Sequence, residues 1–236
     1  MSQRFYCPEP PIDGRYRLDA DESKHLVRVC RHGVGDLVEV FDGRGAATAA
    51  RVVETGKTAA LEAEGSPLPD RPAAVAIEIG AAVPKGDRFD WLVEKAVELG
   101  VARVVPLATA RSVVDPRGSK LDRLRRAIIE ASKQSGRNRL MELGAPEGLL
   151  DFLGRDGGVR LLADPSGAEP SAWPAIRSGD SVRLVIGPEG GLTEDEVATA
   201  IKRGWTAVRL AAPILRVETA AVAGAAAVLA RVQPVH

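Results

Sequence analysis

The residues best placed to do chemistry lie in the stretch Val182–Arg231. It holds Gly187-Pro188-Glu189-Gly190-Gly191 and, further on, Arg216-x-Glu218-Thr219. Three glycines in so short a run let backbone groups come close to a bound molecule. A tight turn feeding a helix accounts well for one of them and poorly for three. Neither segment is a known phosphate cradle, because GxxxxGK[ST] and GxGxxG are both missing. The chemistry suggested is capture of a ligand by main-chain groups, with a guanidinium and a carboxylate nearby. The plainer account of Arg216 and Glu218 is a local ion pair at a helix start, where a glutamate is favoured by the dipole.

The elements around these residues can be read directly. An apolar strand, Val182–Ile186, runs into the glycine turn. Thr193 then caps a helix, and Glu196 three residues later completes a capping box. That helix ends near Gly204. A second strand, Ala207–Leu210, leads into the loop Ala211–Leu215 and a final helix of small residues. Two successive strand-to-helix loops therefore sit at strand carboxyl ends, where open α/β sheets bind ligands.

Bulk properties exclude several classes. The chain has 236 residues, with 32 Lys+Arg against 32 Asp+Glu. A zero net charge leaves any nucleic-acid contact to local patches. Two cysteines (Cys7, Cys30) and three histidines (His25, His32, His236) show no ligand spacing, so no metal site is expected. The start MSQRFYCPEP lacks the apolar segment of a secretory signal. The charge-free run Thr219–Ala230 falls short of the roughly 20 residues a membrane span needs. A cytoplasmic protein with no membrane contact is expected.

Residues 1–64 read as short strands: Arg15–Leu18, Leu37–Phe41, Ala47–Val53 and Thr58–Ala63, with Asp42-Gly43 as a hairpin signal. One helix, Glu22–Arg31, interrupts them. This pattern suggests a small β-barrel domain over residues 1–68. The proline-dense run from Gly65 to Pro72 marks its boundary. From residue 73 to 236 the period changes. Strand Val75–Ala81, helix Asp90–Leu99 and strand Arg103–Leu107 form a βαβ unit, which implies an α/β domain with a parallel sheet. Further strands are expected at Leu140–Leu143 and Val159–Ala163, with a helix from Pro146 to Leu153.

Two segments are locally basic. The first helix carries Lys24, His25, Arg28 and Arg31 on one face, where like charges repel and a phosphate partner would offset the cost. A long helix from Ser119 carries Lys120, Arg123, Arg125, Arg126 and Lys133, with Arg137 and Arg139 after it. Its charge imbalance suggests a rail for nucleic-acid phosphates rather than an ordinary solvated face.

Ile186-Gly-Pro-Glu-Gly-Gly-Leu192, followed by Leu210-x-x-x-Ile-Leu-Arg-x-Glu-Thr219, resembles the SPOUT methyltransferases. Within them it is similar to the ribosomal RNA small subunit methyltransferase E family. Pro84-Lys85-Gly86-Asp87-Arg88, Glu94-Lys95, Glu98-Leu-Gly100 and Glu130-Ala-x-x-Gln134-x-x-Arg137 extend the likeness, as do Arg4-Phe5-Tyr6 and the His25–Arg31 helix. The family usually has a glycine and an arginine where this chain has Ala211 and Pro213. The resemblance implies a PUA-like barrel followed by an α/β-knot domain with a C-terminal trefoil knot. It also implies S-adenosylmethionine as cofactor, a homodimer, and methylation of uridine N3 in 16S ribosomal RNA of the small subunit.

On this reading the cofactor would be held by Leu162, Ala163, Gly187, Pro188, Glu189, Gly190, Gly191, Leu210, Ile214 and Leu215, with Leu162–Pro165 as a third loop. Arg216 would stabilise the uridine anion, and Glu218 would orient Arg216 or Thr219. RNA would be met by Arg4, Lys24, His25, Arg28, Arg31, Lys85, Arg88, Arg111, Arg126, Gln134 and Arg137. Two other readings stay open: a 2′-O-ribose methyltransferase of tRNA or rRNA, and a catalytically silent RNA-binding protein.

Overall fold

A computed structural model of the chain describes residues 3–70, 72–112 and 119–234, and the side chains of Ser119 and Lys120 lie outside it. The chain divides into two units. One is Met1–Pro72 with Ile129–Leu140; the other is Ala73–Ile128 with Met141–His236. A boundary placed in the proline-rich linker alone misses the 129–140 segment.

The first unit is a curled five-stranded sheet. Its strands are β1 (Arg4–Tyr6), β2 (Arg15–Arg17), β3 (Leu37–Phe41), β4 (Ala47–Glu54) and β5 (Ala60–Leu68), in the order β1-β3-β4-β5-β2. Only β1 and β3 run parallel. The barrel anticipated from sequence is thus an open half-barrel, and β1 is a strand that sequence reading missed. Alternation explains the inner face, since Val38 and Val40 turn inward beside Phe5, Leu26, Val52 and Leu61. Helix α1 (Ala20–Lys24) is capped by Asp19, whose Oδ1 accepts from the Glu22 amide at 2.8 Å. It starts two residues before the expected helix and then widens into a π turn, His25–Val29.

A buried polar bolt ties residues 129–140 into this unit. Lys133 is 7% exposed and Glu22 10%, and they form an ion pair that Glu130 joins. Burial pushes the Glu22 carboxyl up, against the pull of Lys133. The Lys133 ammonium is desolvated too, yet its bonds to Glu22 and Glu130 hold it above its ordinary value.

The second unit is a parallel sheet. In chain order its elements are β6 (Ala76–Ala82), α2 (Arg88–Glu98), β7 (Arg103–Ala108), the first part of α3 (Ser119–Ser135), β8 (Glu142–Leu143), β9 (Glu147–Gly148) and α4 (Leu149–Leu153). Then come β10 (Val159–Ala168), β11 (Ile176–Arg177), β12 (Ser181–Ile186), α5 (Glu194–Lys202), β13 (Thr206–Val208), α6 (Val217–Ala230) and β14 (Val232–Gln233). The strand order is β13-β10-β12-β6-β7-β8, with β9 also on β7 and β11 paired to β14. Parallel strands buried on both faces read as continuous apolar runs. Leu184, Val185 and Ile186 of β12 are an instance, all buried. Helix α6 lies close against β12: a Cβ on Gly224 would come within 2.5 Å of Leu184 Cδ2. Among the described residues no helix is long and apolar enough to cross a membrane.

Candidate functional site

Parallel strands that end at one edge bring their following loops together there. In the second unit three such loops enclose a cleft of about 350 Å³. The first follows the regular part of β10 and contributes Ala163, Asp164 and Pro165. The second runs from Ile186 to Leu192, and the third is the segment between β13 and α6. The start of α6 closes the floor with Val217 and Ala220.

The glycine loop is shaped by local chemistry. Gly191 has φ +68°, a left-handed conformation that favours glycine, and its amide donates to Pro188 O at 2.8 Å. Gly187 is tight against Leu192, whose Cγ would lie 3.0 Å from an added Cβ. The capping box at the head of α5 forms in full. Thr193 Oγ1 accepts from the Glu196 amide at 3.2 Å, and Glu196 Oε2 from the Thr193 amide at 2.8 Å. Glu196 Oε1 also accepts from the Ala110 amide at 2.8 Å, which fixes the loop after β7 to the same helix start. From that loop Arg111 reaches back and donates to Gly190 O at 2.7 Å.

Nine of the ten residues singled out for the cofactor line the cleft: Ala163, Gly187, Pro188, Glu189, Gly190, Gly191, Leu210, Ile214 and Leu215. Leu162 does not. Its side chain points to the opposite face of β10 and packs into the core with Phe152 and Trp205. Strand alternation is the reason: if Ala163 faces the cleft, Leu162 cannot. Asp164 and Pro165, the rest of the expected third loop Leu162–Pro165, are in the wall. Ala211 and Pro213 also line the cleft, so the chain's departure from the family pattern sits in the wall itself. Ile214 is 86% exposed, an apolar side chain left uncovered at the rim.

The cleft offers main-chain donors and negative charge. Among the described residues the amides of Leu210, Ala211, Ala212, Ile214 and Leu215 have no partner within the chain. The charged side chains in the lining are Asp164 and Glu189, both acidic. Asp164 Oδ1 is held by the Ser166 amide at 2.8 Å. Glu189 meets Arg88 Nη1 at 3.3 Å.

Arg216 and Glu218 do not pair. Arg216 is the N-cap residue of α6; its carbonyl accepts from the Ala220 amide at 2.8 Å, while its side chain is exposed and makes no ion pair or hydrogen bond among the described residues. Glu218 is 8% exposed, and its Oε2 has no hydrogen-bond partner among the described residues. The expected orientation of Arg216 by Glu218 is therefore not formed. Arg216 stands at the N-cap with extended backbone (φ −68°, ψ 156°), outside the helical turn that buries Glu218.

The basic residues separate into structural and free groups. Arg4 is a correction: its side chain is 8% exposed and fully engaged. It donates to Glu39 at 2.6 Å, to the carbonyls of Ser132 and Arg137 at 2.9 and 3.1 Å, and to Asn138, with Phe41 beneath it. It fastens residues 132–138 to β1 and has no surface left for a phosphate. Arg111 is spent on the glycine loop. Arg137 is half-buried, and burial draws its guanidinium below its ordinary range.

The rail expected along α3 is broken up as well. Arg123 pairs with Asp87 and Asp90, Arg125 with Asp122, Lys133 with Glu22 and Glu130, and Arg139 with Asp70. Lys120 lies outside the described side chains. Arg126, Gln134 and Lys85 are exposed. On the first unit Lys24, Arg28 and Arg31 are exposed and unpaired among the described residues, with Arg31 held at φ +60°. His25 is half-buried, its ring edge-on to Phe5 at 6.0 Å.

Comparison with known proteins agrees with this geometry. Residues 71–229 match the family model described as an RNA methyltransferase domain, and residues 18–62 match an RNA methyltransferase PUA domain. The ribosomal RNA small subunit methyltransferase E of Bacillus subtilis is 34% identical over 221 residues, covering 87% of this chain and 86% of that protein. The Synechocystis protein of the same name is 32% identical, covering 91% and 72%. A crystal structure of a ribosomal RNA small subunit methyltransferase E from Neisseria gonorrhoeae bound to S-adenosyl methionine superposes with a TM-score of 0.88, at 31% identity and 96% coverage of both chains. On the two domains matched and on relatives 32–34% identical over most of their length, the chain belongs to the ribosomal RNA small subunit methyltransferase E family.

Proposed function

We propose that this chain transfers a methyl group from S-adenosylmethionine to N3 of a uridine in 16S ribosomal RNA, in the context of the small subunit. The observation that carries the reading is the cleft of three strand-end loops, with unpartnered amides along Leu210–Leu215 and an acidic lining. The residues fit such a cofactor. A volume of about 350 Å³ lies in the range of small-molecule sites, roughly 300–1,000 Å³. The free amides suit the edge of an adenine, and Leu210, Leu215 and Ile186 supply apolar walls. Asp164 and Glu189 suit a ligand of net positive charge. When bound, the cofactor supplies an electrophilic methyl on a sulfonium.

The chain must then favour the anion of a weakly acidic base. Arg216, whose exposed side chain has no partner among the described residues, would bring a guanidinium to a uracil carbonyl oxygen from the residue before Val217 of the cleft. It would stabilise charge that develops only as the proton leaves. Lys24, Arg28 and Arg31 on the first unit, with Lys85 and Arg126 on the second, are exposed cations without an acidic partner among the described residues and would meet ribosomal phosphates. Arg88 becomes available if its contact with Glu189 opens. A homodimer would cover the outer face of α6, which is apolar on every side.

Mapping modified nucleosides in 16S RNA from a strain lacking this gene tests the reading. Loss of N3-methyluridine, restored by the purified protein, is the expected result. An unchanged N3-methyluridine signal refutes it, and loss of a ribose methyl would instead favour a 2′-O-methyltransferase.

A further inference from the structure

We infer that a second cavity, beside the cofactor cleft, seats the target base, with Trp91 as its stacking face and Glu218 as acceptor of the base N3 proton. This rests on the proposed transfer to uridine N3. The cavity has a volume of about 370 Å³ and is lined by Asp87, Arg88, Trp91, Glu218 and Thr219. It is distinct from the cleft but adjoins it twice. Glu218 and Thr219 stand in α6 between Val217 and Ala220, both cleft residues. Arg88 contacts Glu189, also a cleft residue, at 3.3 Å.

Three features point to a planar ligand with a single polar hydrogen. Glu218 is more than nine-tenths buried, and its Oε2 has no donor among the described residues. A buried carboxylate oxygen without a donor is costly, and because Glu218 lines the cavity a small turn of its carboxylate would complete it with a donor from a bound molecule. Trp91 is 44% exposed, whereas Trp173 and Trp205 are 5% and 2% exposed. An indole left open beside such an oxygen is a ready platform for a base. Arg88 adds donors for a carbonyl.

Uracil presents an imino N–H between two carbonyl oxygens, which matches a carboxylate flanked by a guanidinium. Cytosine N3 and adenine N1 carry no proton for the carboxylate to take, so the same transfer cannot start on them. In the reaction the N3–H bond breaks and its proton passes to the Glu218 carboxylate. The freed N3 electron pair forms the bond to the methyl carbon. The carbon–sulfur bond breaks with its electron pair retained on sulfur, and Glu218 returns its proton to water after product leaves.

The distribution of tryptophans makes the test direct, because emission changes report chiefly on Trp91. The whole protein, with S-adenosylhomocysteine present, is titrated with hexauridylate and with its N3-methyluridine counterpart. Hexauridylate is expected to quench emission. The methylated oligomer, lacking the donor for a charged acceptor, is expected to bind about tenfold or more weakly. Trp91→Phe should silence the signal while a labelled oligomer still binds, and Trp91→Ala should weaken binding itself. Glu218→Gln should keep cofactor affinity by calorimetry, lose the discrimination between the two oligomers, and slow methyl transfer by about 100-fold or more.

Equal affinity for the two oligomers, or Glu218→Gln transferring methyl at the wild-type rate, overturns the inference. So does emission that follows protein concentration and ignores RNA, which would make Trp91 a contact with a second copy. If Glu218→Gln does not fold, the oligomer comparison on wild-type protein still decides. Failure of the wild-type protein to methylate uridine N3 overturns the function proposed above. Normal methylation without discrimination overturns only the base site.

Discussion

Gly167 links the fold to the cleft more tightly than any charged residue does. It lies in the tail of β10, between Asp164–Pro165 of the cleft wall and Ala168, which pairs with Val208 of β13. A Cβ added there would meet Val208 N at 2.4 Å, Val208 C at 2.6 Å and Ala207 C at 2.7 Å. All three are backbone atoms, so no side chain can rotate away. Gly167→Ala must push the β10 tail off β13 and disturb the Arg209 amide bond to Ala168 O, now 2.8 Å. Overpacking costs about 1–3 kcal/mol, and rigid neighbours place this site at the upper end. Loss of one hydrogen bond adds about 1 kcal/mol.

The cleft should suffer with the stability, because Asp164 and Pro165 stand just before the forced shift and Leu210 just after β13. We expect thermal unfolding of the second unit to fall by roughly 8–16 °C, taking about 4 kcal/mol in all and about 2–4 °C per kcal/mol for a chain of this size. Calorimetric affinity for S-adenosylmethionine should drop at least about tenfold, equivalent to ~1.4 kcal/mol. Gly33→Ala, where an added Cβ meets nothing within 4 Å, is the control. A Gly167→Ala protein that melts and binds like wild type would refute the claim that backbone contact between β10 and β13 holds the cleft wall.

Other expectations follow from charge and burial. Lys133→Met leaves Glu22 buried without its partner and should destabilise the first unit by about 3–5 kcal/mol, with much of the loss recovered in the Glu22→Met, Lys133→Met double variant; urea unfolding of the three proteins measures this, and an additive double variant would contradict it. The stabilisation from Lys133 itself should be complete below its ordinary value of 10.5 and fade only as pH rises past its higher folded value. A loss of that contribution between pH 7 and 9 in wild-type protein but not in Lys133→Met would contradict this. Replacing Lys24, Arg28 and Arg31 together by alanine should weaken RNA binding without changing sequence preference, and should reduce the slope of log K against log salt by about 2, at ~0.7 per phosphate on single strands. An unchanged slope would move the RNA to another face. Arg4→Ala, by contrast, should act through folding: residues 132–138 lose their anchor, and stability falls before any RNA contact is lost.

Local patterns told much of this protein in advance. The capping box at Thr193 and Glu196, the strand periods and the glycine turn need only a few neighbouring residues, so the sequence alone specifies them. The parallel sheet followed from βαβ spacing, and the two strand-end loops from where glycine and small residues interrupt the apolar runs. Tertiary structure decided the rest, because the deciding partners are far away in the chain. Arg4 and Lys133 look like surface cations until Asn138 and Glu22 are found against them, 134 and 111 residues distant. Leu162 and Ala163 are both apolar, and only the packing of Phe152 and Trp205 says which one faces the core. Gly167 stands out in no motif; its meaning comes from Val208 crossing directly over it. Glu218 shares a motif with Arg216, yet a turn of the backbone at the head of α6 separates them. One is left in water beside the cleft and the other buried against Trp91's cavity, where an unpartnered oxygen sets the chemistry a ligand must bring.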